Sequence, residues 1–169
     1  MIGMMGAGKS TTGYLLSSRL GWPYLDSDAE IERQTGRTVP EIWKADGEPA
    51  FRREESRVLA EAASSPVPVV ISVAGGAVLD GANRALIRAA GLVVWLRARV
   101  ETLAERVGSG LGRPLLEGQV DDNLGRLQRE RWPLYEEIAD VAFDVDTLSP
   151  SQVVERVMAS LDGWEARRS

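Results

Sequence analysis

Gly3-Met-Met-Gly-Ala-Gly8-Lys9-Ser10, eight residues within the opening stretch MIGMMGAGKST (residues 1–11), decides the fold. The run satisfies G-x-x-x-x-G-K-[ST] without exception. Its glycines let successive backbone N–H groups turn inward around phosphate oxygens, and a helix starting near Lys9 adds its positive end. Lys9 is placed to reach the β- and γ-phosphates, and the Ser10 hydroxyl offers one coordination position to Mg²⁺. The expected nucleotide cradle is therefore Gly6, Ala7, Gly8, Lys9, Ser10 and Thr11. The pattern implies ATP or GTP binding; alone it does not separate hydrolysis, transfer and sensing.

Outward from the cradle, composition removes whole classes of chemistry. The 169 residues suit one domain, 44% hydrophobic and 27% charged. A net charge of −5 argues against nucleic-acid or membrane-surface partners, which attract basic faces. The longest apolar run, 67–79, is interrupted by Ser72, Gly75 and Gly76, well short of the roughly 20 residues of a membrane span. No long apolar segment marks a signal peptide. A cytoplasmic monomer is the expectation. Without cysteine there are no disulfides or thiolate nucleophiles, and without histidine there is no imidazole base. A general base must be a carboxylate, a lysine or a tyrosine. Lys9 and Lys44 are the only lysines, so nearly all the positive charge is arginine. Genome composition explains such a bias, yet individual guanidinium groups grip planar carboxylate or phosphate groups well.

Strand and helix alternate along the chain. The pattern predicts a helix from Lys9 to Leu20, a short strand at 23–25 ending at Asp26, and a capping box at Thr38-Val39-Pro40-Glu41. Gly47 ends that helix and another runs from Pro49 to Ala63. Strands are expected at 69–73, 93–96 and 141–145, with helices at 80–90, 100–107, 121–138 and 150–161. Pro133 is expected to break the penultimate helix, and 164–169 to be a frayed end. The implied fold is a three-layer α/β, P-loop NTPase-like architecture: a central parallel five-stranded sheet flanked by helices, in a single domain over 1–169, with a mobile lid at about 108–118. Only Met1 and Ile2 precede the cradle, so the first strand is either unusually short or has lost upstream residues; the second is the expectation. GTPases add a base-reading Asn-Lys-x-Asp, and this chain has no Asn-Lys pair. Asp122-Asn-Leu-Gly125 fits D-x-x-G but falls in a late helix, where the match is a coincidence.

Further residues carry possible transfer chemistry. Asp26-Ser27-Asp28 ends the second strand, where alternation points both carboxylates toward the carboxyl edge of the sheet. One carboxylate suits the water shell of Mg²⁺ and the other a hydroxyl proton; a simple helix cap is the competing reading. In Phe51-Arg52-Arg53-Glu54-Glu55, Glu55 shares the apolar stripe of Phe51, Val58, Leu59 and Ala62, a costly place for an unpaired charge. Pairing with Arg52, three residues away, would resolve it and aim the guanidinium; a solvated Arg/Glu surface is the alternative. Ala74-Gly75-Gly76-Ala77 permits close backbone approach to a ligand, or is an ordinary turn. The loop at 108–118 has lid-like glycines with Arg113 near its tip, and Arg131-Trp-Pro-Leu-Tyr135 places another arginine before the proline.

In this order, the P-loop, DSD, FRREE, the Gly-Gly pair after a strand, RPLL and RWPLY resemble the shikimate kinases, from residue 3 to about 145. The resemblance implies transfer of the ATP γ-phosphate to the 3-hydroxyl of shikimate, with Mg²⁺. It implies phosphate and metal roles for Lys9 and Ser10, water-mediated Mg²⁺ support for Asp26, and substrate binding and base catalysis for Asp28. Arg52, oriented by Glu55, and Arg131 would clamp the substrate carboxylate, with Gly75 and Gly76 presenting backbone to it. Arg113 would be the lid arginine, and Arg106 matches the position that stacks on adenine. Three departures stand out: Ala74 replaces the first of three glycines, the leading strand is reduced to two residues, and Thr147-Leu-Ser-Pro150 stands where an adenine-side arginine often does. A kinase for another hydroxylated acid such as gluconate, and a regulatory nucleotide-binding module without turnover, are the other readings.

Overall fold

The computed structural model describes residues 1–110, 114–116 and 119–166. Helix α1 (Lys9–Leu20) rises directly from the glycine loop, and Gly21 closes it in the left-handed conformation. Strand β1 (Tyr24–Asp26) runs straight into α2 (Ser27–Thr35), with no loop between them. Helix α3 (Val39–Asp46) starts with the capping box: the Thr38 hydroxyl accepts from the Glu41 N–H and the Glu41 carboxylate accepts from the Thr38 N–H. Gly47 leads into α4 (Glu48–Ala63). Strand β2 (Val70–Ser72) is followed by a 3₁₀ turn (Ala77–Leu79) and α5 (Gly81–Ala90), which Asp80 caps. Strand β3 (Val94–Arg97), α6 (Val100–Val107), a second 3₁₀ turn (Pro114–Leu116), α7 (Val120–Ile138), β4 (Val141–Asp144) and α8 (Pro150–Ala166) complete the order.

The strands pair in parallel, β1 with β2 and β3 with β4. Met1 and Ile2 lie between the two pairs. The Val73 N–H donates to the Met1 carbonyl at 3.0 Å on one side; the Ile2 N–H donates to Val94 and the Leu96 N–H to Ile2, at 2.9 and 3.0 Å, on the other. Four regular strands are therefore present among the described residues, not five, and two residues of backbone join them where the fifth was expected. This junction carries the P-loop, because Gly3 follows it at once. A Cβ on Gly3, whose φ is +140°, would stand 2.5 Å from the Leu96 carbonyl oxygen, so the loop leaves the sheet where only glycine fits.

Two apolar cores result. The larger gathers Ile2, Leu96, Leu103, Leu124, Leu127 and Tyr135 with their neighbours, and α8 packs on α1. The smaller, Ile31, Ile42, Phe51 and Val58, ties α2, α3 and α4 together. Two sequence expectations fail in the second half of the chain. Pro133 lies inside a continuous α7, because Leu127 and Arg131 before it and Tyr135 and Ile138 after it are all buried. That anchorage offsets the cost of about 3 kcal/mol that a proline brings to a helix interior through its missing N–H and its ring clash. Trp164 lies within α8, which runs to Ala166 instead of fraying at 164, and 167–169 of the expected frayed end lie outside the described residues.

Candidate active site

The P-loop, the turn from β1 into α2, the start of α4, the loop after β2 and one face of α7 converge on a cleft of about 590 Å³. It opens at the carboxyl ends of β1 and β2, where parallel sheets place ligands.

On the phosphate side, Gly6 and Gly8 have φ of +81° and +91°, conformations that turn loop N–H groups inward at little cost to glycine. The Lys9 ammonium donates to the carbonyls of Gly3 and Met4 at 2.9 and 3.0 Å, which folds it back across its own loop. Ser10 Oγ donates to Asp26 Oδ2 at 2.8 Å, and the Tyr24 hydroxyl reaches the same oxygen at 3.2 Å. Asp26 Oδ1 meanwhile caps α2, accepting from the Asp28 and Ala29 N–H groups. Helix cap and partner of the P-loop serine are thus one residue. Arg106 donates to the carbonyls of Val145, at 2.8 Å, and Gly6, at 3.4 Å, and so borders the cradle from α6. Arg113 lies outside the described residues.

On the opposite side stand Asp28, Arg52, Glu55, Gly75, Gly76 and Arg131. Asp28 does not reach the cleft by strand alternation as the sequence suggested. The strand ends at Asp26, and Asp28 sits in the first turn of α2. Burial, and then the neighbouring Asp26 charge, push its carboxyl up to about 6. Glu55 is 1% exposed and accepts from Arg52 at 2.9 Å, so the buried pairing holds and the solvated surface does not. Burial raises the Glu55 carboxyl to about 7 despite the guanidinium beside it. Arg52 is held from its other side by Glu48, at 2.9 Å, and lies over the rings of Trp43 and Phe51. Arg131 is 2% exposed, brought in by the buried stripe of α7.

The loop after β2 fits close packing: a Cβ on Gly76 would land on the Arg52 guanidinium, and one on Gly75 would stand 3.2 Å from the Gly3 carbonyl oxygen. The Ala74 N–H donates to the buried Ser27 hydroxyl at 2.8 Å. Three buried polar atoms around the cleft have no hydrogen-bond partner: Asp28 Oδ1, Glu55 Oε1 and Arg131 Nε.

The family model for shikimate kinase matches residues 5–162. The chain belongs to the shikimate kinase family. A shikimate kinase of Symbiobacterium thermophilum is 45% identical over 166 residues, covering 95% of this chain and 94% of the relative. One from Pseudomonas savastanoi is 43% identical, with the same coverage of each chain. Among solved structures, the shikimate kinase from Acinetobacter baumannii in complex with shikimate superposes with a TM-score of 0.92 at 36% identity, over 96% of this chain and 90% of that one. The likeness extends the family assignment from the P-loop to the whole α/β framework.

Sequence reasoning missed Glu48 and Tyr24 in this family site. Glu48 precedes Arg52 by four residues, a helical spacing that would have exposed it. Tyr24 precedes Asp26 by two on a strand, which places both side chains on one face.

Proposed function

We infer that the protein is a shikimate kinase, transferring the γ-phosphoryl group of ATP to the 3-hydroxyl of shikimate with Mg²⁺. One observation carries this reading: Asp28, Arg52 and Arg131 line the same cleft as the P-loop, so a substrate with a hydroxyl and a carboxylate would meet a base and two guanidinium groups there.

In the transfer, the substrate O–H bond breaks as the new O–P bond forms, and the bond between the γ-phosphorus and the β–γ bridging oxygen breaks to release ADP. Asp28 takes the hydroxyl proton; its raised carboxyl makes it a better base than an ordinary aspartate and leaves it ionised at pH 7. Lys9, released from its own loop carbonyls, neutralises charge on the phosphates. Arg52 and Arg131 grip the substrate carboxylate, with Glu48 and Glu55 fixing the aim of Arg52. Gly75 and Gly76 bring backbone against the substrate. Arg106 borders the adenine, and Arg113 supplies charge to the transferring group.

Ser10 and Asp26 fit Mg²⁺: their oxygens are 2.8 Å apart beside the cradle, and this cation commonly takes only one or two protein oxygens, with phosphates and waters completing its shell. Ser10 and Asp26 would hold the ion, which would supply positive charge to the phosphates.

A coupled ADP-release assay tests the reading. ADP should appear only when shikimate, ATP and Mg²⁺ are all present. Release without shikimate, release with gluconate in its place, or none with any hydroxy acid would reject it.

A further inference from the structure

Tyr135 is 1% exposed and does not line the cleft, yet its hydroxyl touches three parts of the site. It donates to the Gly75 carbonyl at 2.7 Å. The Arg131 guanidinium, one helical turn earlier on α7, lies beside it at Gly75. It also lies 3.9 Å from the Met4 sulfur in the P-loop. The ring is fixed independently by Trp95, with centroids 5.8 Å apart.

A phenol has one proton to give and lone pairs to receive, so with its proton on the Gly75 carbonyl its lone pairs remain for the guanidinium beside it. Burial raises the phenol well above its ordinary range, and the donor proton stays in place across working pH. The crowding is consistent with this. A Cβ on Gly75 would stand 3.2 Å from the hydroxyl and 3.4 Å from the Arg131 guanidinium, so the three groups are packed as a unit. Arg131 is not exhausted by the arrangement, since its Nε remains unpartnered.

We propose that Tyr135 is a positioning residue for the acceptor: its hydroxyl sets the aim of Arg131 and the placement of the Gly75 backbone together, holding both at the separation the substrate carboxylate and ring require. This rests on the reading of Arg131 and Gly75 as substrate contacts. Tyr135 itself does not meet the substrate.

Tyr135→Phe removes the hydroxyl and keeps the ring, so the packing on Trp95 survives. The expected result is a shikimate KM raised about 10-fold, with the ATP KM within about twofold and kcat within about threefold, as for a lost orienting bond. Thermal unfolding should fall by only a few degrees. A lowered Tm with both KM values unchanged, or equal rises in both, overturns the proposal, because each reports a structural role alone. Arg52→Lys serves as the parallel arm. If Arg52→Lys raises the shikimate KM while Tyr135→Phe does not, the Tyr135 inference fails and the acceptor site stands. If neither variant moves it, the acceptor reading fails and takes the inference with it.

Discussion

The two walls of the cleft are built on opposite plans. The phosphate wall is centred on one continuous stretch, residues 3–10, joined by Asp26 from β1 and Arg106 from α6, and its side chains are paired within the protein: Lys9 on its own loop, Ser10 on Asp26. The acceptor wall is assembled from α2, α4, the loop after β2 and α7, and it retains unpaired oxygens and an unpaired nitrogen at Asp28, Glu55 and Arg131. A cradle for a group common to all nucleotides is specified locally by backbone geometry. A pocket for one particular acid needs side chains of fixed aim, and only tertiary packing brings them together. The second wall is therefore the one that gathers buried charges from separate elements.

The largest effect that would break this contrast falls on Asp28. Asp28→Asn should lower kcat by roughly 10²–10⁴-fold while ATP affinity stays within about threefold, because proton acceptance is lost and the cradle is untouched. Steady-state kinetics with an equilibrium ATP titration checks both halves. In the parent enzyme, kcat/KM for shikimate should fall as pH drops through about 6, where Asp28 takes its proton. Wild-type turnover in Asp28→Asn would remove the base from the acceptor wall.

A smaller change sharpens the contrast on Arg52. Arg52→Lys keeps one positive charge but loses the planar fork that Glu48 and Glu55 brace from two sides. The shikimate KM should rise about 10-fold with the ATP KM unchanged, since the lost grip belongs to ground-state binding. Unchanged substrate kinetics would mean that the carboxylate is held elsewhere.

The same division explains what the sequence could be made to yield. The glycine loop, α1 and the Thr38 capping box were legible because each depends on residues within one turn of one another. Glu55 was legible as an anomaly, a charge on an apolar stripe, and the structure buries it against Arg52 as that anomaly required. Asp28 was found for an incomplete reason: periodicity extended the strand past Asp26, whereas the Asp26 cap starts a helix there. Continuity of α7 through Pro133 was out of reach, because it depends on burial of Arg131 and Tyr135 by elements distant in sequence. The fifth strand was misjudged for a related reason. Met1 and Ile2 form no regular strand, yet their neighbours on both sides complete the pairing. The link from Tyr135 to Gly75 spans 60 positions and leaves no local signature.

The subtlest way to test the two walls is stability without any ligand. If the acceptor wall carries the cost of buried charge, removing one of its charges should stabilise the protein. Asp28 shows the direction. Its folded carboxyl titrates at about 6 and the unfolded chain's at about 3.8, so between those values the native state holds more protons than the unfolded state. Stability from this group therefore falls as pH rises from about 4 to 6, and the penalty is complete above 6. Asp28→Asn should raise stability by about 1–2 kcal/mol at pH 8, a Tm gain of several degrees for a chain of this size, and change it little near pH 4. Ser10→Ala on the phosphate wall should give no such gain at either pH, because it removes a satisfied hydrogen bond from Asp26 instead of relieving a buried charge. Thermal melts of both variants at the two pH values decide the matter. A gain at pH 8 from Asp28→Asn with none from Ser10→Ala would locate the stored cost on the acceptor wall, and equal behaviour of the two would dissolve the distinction.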